Sequence, residues 1–126
     1  MSLFTKPSLT SYNVTDWQRA KQFYGETLGL PVAGFISDEV GWMEFGEKDG
    51  ARLAINLWQG PDPLPPREGG GTVVFEVDDV NRVVAELRQR GVQCEAPIVI
   101  PEMVIYATFY DPDGNRLQVA GQPSAQ

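Results

Sequence analysis

The chain reads as an α+β protein built from two βαβββ modules. Three observations predict this. Two amphipathic helical stretches stand far apart, and each follows one short strand and precedes three more. Asn13-Val14-Thr15-Asp16 with Arg19 reappears as Glu76-Val77-Asp78-Asp79 with Arg82, about half the 126-residue chain further on. Both helical stretches end at a glycine, Gly29 and Gly91. A repeat with that offset is an internal duplication.

The elements follow in chain order. Ser8 to Val14 alternates as a strand. Thr15 and Gln18 have the spacing of a capping box, and Trp17, Ala20, Tyr24 and Leu28, with Phe23 beside them, mark the buried side of the first helix. Gly29 caps its end and Pro31 prevents resumption. Strands are expected at Val32–Ile36, Val40–Phe45 and Arg52–Trp58, with the turn Glu47-Lys48-Asp49-Gly50 before the last. Gly60 to Gly71, rich in proline and glycine, reads as a linker. A strand at Thr72–Val77 then leads to the second helix, opened by Asp78-Asp79 and striped by Val80, Val83, Val84 and Leu87. Strands at Gln93–Ala96, Val104–Tyr110 and Arg116–Ala120 complete the repeat, the last two separated by the turn at 111–115. Residues 1–126 thus form one domain, with modules at 7–59 and 72–121 joined by 60–71.

Composition narrows the function. Apolar residues are 42% of the chain, ample for a core, and no apolar run is long enough to cross a membrane. The formal charge of −7 opposes nucleic acid and anionic membranes as partners. The lone Cys94 cannot form an internal disulfide, and the first residues lack the apolar stretch of a secretion signal, so a reducing, cytoplasmic setting is expected. Cys94 itself reads as a small apolar residue rather than a nucleophile. There is no histidine, which excludes Ser-His-Asp and Cys-His mechanisms and a Cys/His zinc site within one chain.

Strand alternation sorts the side chains. Met43, Phe45, Leu53, Ile55, Leu57, Val73, Phe75, Val77, Ile105, Ala107, Phe109, Leu117 and Val119 form apolar faces that belong under the helices. The opposite faces carry Ser11, Asn13, Trp42, Glu44, Asn56, Trp58, Thr72, Glu76, Tyr106, Thr108, Tyr110 and Gln118, with Arg52 and Ala54 on the same side. Aromatic walls with a few orienting polar groups are typical of a small-molecule pocket. A face that meets water or a second subunit is the alternative. Glu44 and Glu76 are candidates for charge complementarity to a cation or for a shared acid–base task, and Tyr106 and Tyr110 for pocket wall. Asp111-Pro112-Asp113-Gly114-Asn115 is too short for a calcium loop and reads as a turn.

Asp16-x-x-Arg19-Ala20-x-x-Phe23-Tyr24-x-x-x-Leu28-Gly29-Leu30 resembles the first-helix signature of the glyoxalase/bleomycin-resistance/extradiol-dioxygenase (vicinal oxygen chelate) proteins. Phe75-Glu76-Val77-Asp78-Asp79-Val80 through Arg90-Gly91-Val92, and Asp111-Pro112-Asp113-Gly114-Asn115-Arg116-Leu117-Gln118, resemble later parts of the same family. The resemblance implies that the modules form a curved, cup-like mixed sheet with helices on the outer face, usually in a homodimer. It also implies metal ligands at positions that here hold Leu9, Ala54, Thr72 and Gln118. Two of these are aliphatic and one is a threonine; only Gln118 could ligate an ion.

The expected function is therefore binding of a small organic molecule, cations included, in an aromatic-lined cup. Asn13, Trp42, Glu44, Asn56, Trp58, Glu76, Tyr106, Thr108, Tyr110 and Gln118 are its candidate contacts. No cofactor and no metal are expected. The alternative is a family enzyme of lyase, isomerase or dioxygenase type, with a displaced metal site or metal-free acid–base chemistry.

Overall fold

A computed structural model describes Leu3 and residues 8–47, 49–61 and 71–123, and for Phe35 the backbone only. The chain divides into two compact units, Met1–Leu64 and Pro65–Gln126. The segment read as a linker lies mostly outside the described residues, as does Lys48 of the 47–50 turn.

The first unit runs β1 (Leu9–Val14), α1 (Trp17–Gln22), a π-helical turn (Phe23–Thr27), β2 (Val32–Ser37), β3 (Trp42–Gly46) and β4 (Arg52–Leu57). Its sheet has the order β1-β4-β3-β2, with β1 parallel to β4 and the other pairs antiparallel. The second unit repeats this with β5 (Val73–Glu76), α2 (Val80–Gln89), β6 (Ile98–Ile100), β7 (Val104–Tyr110) and β8 (Arg116–Gly121), in the order β5-β8-β7-β6. The α+β class and the twofold βαβββ repeat are thus present, as two separate four-stranded sheets.

The repeat extends to the helix caps. Asp16 accepts the Arg19 backbone N–H at 3.1 Å, and Asp79 accepts that of Arg82 at 3.1 Å. An Asp at this position satisfies a donor that the first helical turn leaves unpaired. The cap of α1 is therefore Asp16 rather than the Thr15–Gln18 box that the spacing suggests. Thr15 instead accepts from the Arg19 side chain at 3.3 Å.

α1 does not continue to Leu28 as an α-helix. It widens at Phe23, and the Leu28 N–H bonds to the Phe23 carbonyl, five residues back. Phe23 and the neighbouring Tyr24 are both buried. Their rings meet edge to face at 5.1 Å, and Tyr24 stacks on Phe45 of β3 at 5.9 Å. These rings join Tyr12, Val14, Leu53 and Ile55 to form the core of the first unit. In the second, α2 buries Val80, Val84 and Leu87, while Phe109 stacks on Phe75 at 6.5 Å and Ile105, Leu117 and Val119 complete the core.

Two predicted strands shift. Residues 93–96 form only an isolated bridge, Cys94 to Phe109, and the strand proper is Ile98–Ile100. Pro97 has no N–H to extend the ladder, and the pairing resumes one residue out of step, with Ile98 opposite Tyr106. β3 starts at Trp42, because Val40 belongs to a turn in which Ser37 accepts N–H groups of Val40 and Gly41.

That turn is tied to α1. Asp38 accepts the Trp17 indole N–H at 2.8 Å and the Lys21 ammonium at 2.9 Å. The indole bond first, and then Lys21, hold the Asp38 carboxyl below its usual 3.8. Because the folded chain favours the charged form, the contact contributes stability above the usual value and loses it as pH falls through the lowered one. The Trp17 indole N–H resonance is expected to keep its neutral-pH position down to about pH 4 and to move only below it. An acid titration followed by NMR checks this; movement beginning near pH 5 would contradict it.

Candidate functional site

The sheet faces turned away from the helices carry the candidate residues, and register places them in matching rows. In the first unit Asn13, Asn56 and Trp42 lie abreast, since Asn13 pairs with Asn56 and Asn56 with Trp42. In the second, Glu76, Ala120 and Tyr106 lie abreast in the same way. The next row is Ser11, Ala54 and Glu44 in one unit, and Val74, Gln118 and Thr108 in the other. A third is Leu9, Arg52 and Gly46. Its counterpart has Tyr110 opposite Arg116, whose Nε donates to Thr72 at 2.7 Å.

Each unit also carries a groove at corresponding positions. In the first, an open groove of about 620 Å³ is lined by Val40, Asn56, Leu57 and Trp58, with Glu39, Gln59 and Gly60. In the second, one of about 490 Å³ is lined by the counterparts Val104, Ala120, Gly121 and Gln122, with Val74, Glu76, Val77 and Asp78. Trp58 lies just past β4, and Gly60 packs against its ring: a Cβ there would fall 2.6 Å from the indole. Glycine is what lets the chain pass so close to the ring. The first groove thus sets an indole and two amides beside Glu39, whereas the second carries Glu76 and Asp78 with no aromatic ring in its lining.

Glu44 is not open to a ligand. It is 7% exposed. One oxygen accepts the Trp42 indole N–H at 2.8 Å, and the other accepts Arg52 Nη1 at 3.1 Å. Both Glu44 oxygens therefore already have a donor within this unit. Glu76 is exposed, lines the second groove, and has no partner among the described residues. Asn56 donates to Asn13 at 3.1 Å, and Gln118 to Thr108 at 3.1 Å. The Tyr110 hydroxyl donates to Glu95. That bond, then burial, pushes the phenol above its usual 10.0, so Tyr110 keeps its proton at neutral pH. Burial likewise raises the half-buried Cys94 thiol, leaving it a poor nucleophile.

Arg52, Gly34, Asp78 and Gln122 belong to these surfaces but stand outside the sequence-predicted set. For Arg52 the signal was present, since it alternates with Ala54 and Asn56 on one strand. Gly34 sits where β2 shifts register against β3, and no side-chain pattern marks such a place.

The four positions at which a family metal is implied fall on these rows. Leu9 and Ala54 belong to the first unit; Thr72 and Gln118 belong to the second. Leu9 and Ala54 offer hydrocarbon, Thr72 accepts from Arg116, and the Gln118 amide is bonded to Thr108. This donor set does not fit a divalent ion, which needs several oxygen, nitrogen or sulfur ligands. Among the described residues no three His, Cys, Asp or Glu side chains gather to hold one elsewhere. The 111–115 segment is a turn. Asp111 accepts the N–H groups of Asp113 and Asn115 at 2.9 and 2.8 Å and the Asn115 amide at 2.7 Å.

Comparison with known proteins agrees with this frame. The structure of TnmS3, an antibiotic binding protein from Streptomyces sp. CB03234, is 30% identical, with 97% of this chain and 99% of that one covered and a TM-score of 0.75. A glyoxalase/bleomycin resistance protein from the same organism is 32% identical over 90% and 98% of the chains, with a TM-score of 0.69. The uncharacterized protein YaeR of Escherichia coli (strain K12) is 31% identical over 116 residues, 86% of this chain and 89% of its own length. The family model for the Glyoxalase/Bleomycin resistance protein/Dioxygenase superfamily matches residues 7–119, and the chain belongs to that superfamily.

Proposed function

We propose that this protein binds a small organic molecule on the sheet faces turned away from the helices, without the metal that its family relatives' ligand positions would hold. The observation that carries the reading is the pair of corresponding grooves, one walled by Trp58 and Asn56 and the other carrying Glu76 and Asp78. Flat aromatic surface supplies contact area, while a few polar groups fix orientation. Glu76 favours a ligand bearing an amine, through a charge-assisted hydrogen bond. The antibiotic-binding relative, similar over nearly the whole of both chains, supports sequestration rather than turnover. Such a protein needs affinity and no catalytic group. Homodimer formation and a cytoplasmic location are part of the same proposal.

All three tryptophans lie in the first unit, so their emission reports on the groove beside Trp58. In a screen of planar aromatic amines, some compounds are expected to shift that emission at micromolar concentration. Calorimetry reads the second groove, which no tryptophan reports, and there Glu76→Gln is expected to weaken the amines by about 1 kcal/mol, roughly fivefold, because Glu76 is exposed. Neutral analogues should bind it unchanged. A screen in which no compound shifts the emission would count against the reading, and stoichiometric metal in the purified protein would count against its metal-free form.

A further inference from the structure

The geometry points to Glu44, held by Arg52, as a positioning residue that fixes the indole of Trp42 on the sheet face of the first unit turned away from α1; this rests on the reading of that face as a ligand surface. Trp42 has a single polar group, the indole N–H, which can only donate. Here it is committed to Glu44, two residues along the same strand and on the same face. The ring edge is therefore pinned along β3, and what remains for a neighbouring molecule is the ring itself. A free tryptophan would turn about its side-chain bonds and lose that freedom on binding.

Three features support a dedicated device over a chance contact. Glu44 is too buried to meet a ligand directly. Gly34, at φ +82°, brings the backbone of β2 over the pair; a Cβ there would lie 2.3 Å from the Glu44 carboxylate and 2.6 Å from the Arg52 guanidinium. Arg52 keeps Nη1 on Glu44 although its buried Nε has no partner among the described residues. An unpaired buried donor is costly and calls for a reason. The second unit lacks the device. The row positions of Trp42 and Glu44 hold Tyr106 and Thr108 there, and Thr108 accepts from Gln118 instead.

Two measurements test the assignment. The first is hydrogen exchange at the indole N–H groups by NMR. In Glu44→Leu the Trp42 indole is expected to exchange about tenfold faster, as one charge-assisted hydrogen bond is lost. In the conservative Glu44→Gln, which keeps an acceptor, the increase should be smaller. Trp17 and Trp58 should not change in either variant, which also shows that the unit remains folded. Unaltered Trp42 exchange in both variants would overturn the assignment.

The second is binding of 9-aminoacridine, a planar cationic probe. Glu44→Leu is expected to weaken it about fivefold in the native background, the size of a modest ordering effect. In a Trp42→Phe background, where no indole N–H remains to be held, the same change should have almost no effect. An equal loss in both backgrounds would mean that Glu44 acts on the ligand by itself, and the assignment would fail. If the native protein does not bind the probe, it is the proposed function that fails for this ligand class, while the exchange measurement still decides the positioning role.

Discussion

Phe45→Ala is expected to destabilise the first unit by about 3–5 kcal/mol, the usual cost of emptying a fully buried aromatic site. Phe45 is 0% exposed. It points from the middle of the sheet toward the helix, stacks on Tyr24, and lies 3.7 Å from where a Cβ on Gly25 would stand. The π-helical turn and β3 therefore meet on this one ring. Its removal leaves a cavity that the flanking strands cannot close without breaking their ladder. Urea titration followed by tryptophan emission reads the first unit alone, because the second has no tryptophan. A midpoint shift equivalent to less than about 1 kcal/mol would show that the centre of this core lies elsewhere.

Arg52→Leu is expected to cost about 2–3 kcal/mol, and restoring an apolar match with Glu44→Leu should recover at least half of that loss. The asymmetry follows from burial. Taking away Arg52 leaves the Glu44 carboxylate beneath the β2 backbone with only the Trp42 indole as a partner, and an uncompensated buried charge is strongly unfavourable. The figure lies below that for a fully buried pair because the Arg52 side chain is 26% exposed. Removing both charges removes the cost of holding them out of water. Thermal and urea unfolding of the two single variants and the double variant form a cycle that isolates the coupling. A double variant no more stable than Arg52→Leu alone would show that the Glu44 charge was not the source of the loss.

These two residues belong to different layers of the same sheet, which explains how stability and binding are divided. The helix-facing layer is apolar and sets the fold. The opposite layer is where aromatic, amide and acidic groups gather, and there the two modules have diverged most. Where the first carries Asn13 and Asn56, the second carries Glu76 and Ala120 on the same frame. Charges are also distributed unevenly: Glu44 is neutralised at home, whereas Glu76 faces its groove unpaired among the described residues.

Much of this was legible in the chain itself. Period-two alternation on β3, β4, β7 and β8 sorts the two faces correctly, because a strand admits no other placement of successive side chains. The duplication was equally plain, down to Asp16 and Asp79 at the two helix starts, since a helix N-terminus imposes the same local need on both copies. Local signals failed where neighbours in space decide. The π-helical widening at Phe23 depends on Tyr24 and Phe45 stacking, and the displaced β6 depends on how Pro97 interrupts pairing with β7. Neither can be read from a window of adjacent residues.

The amino-acid order by itself determined the α+β class, the repeated module, the apolar and mixed faces, and the absence of histidine chemistry, because each follows from local periodicity or from composition alone. Only the tertiary structure decided which polar groups remain open to a ligand. Glu44 and Glu76 look alike as strand carboxylates, yet strand register sets Arg52 diagonally beside the first and gives the second no such neighbour. Pairing of charges is a property of cross-strand distance, and that distance exists only once the sheet has formed.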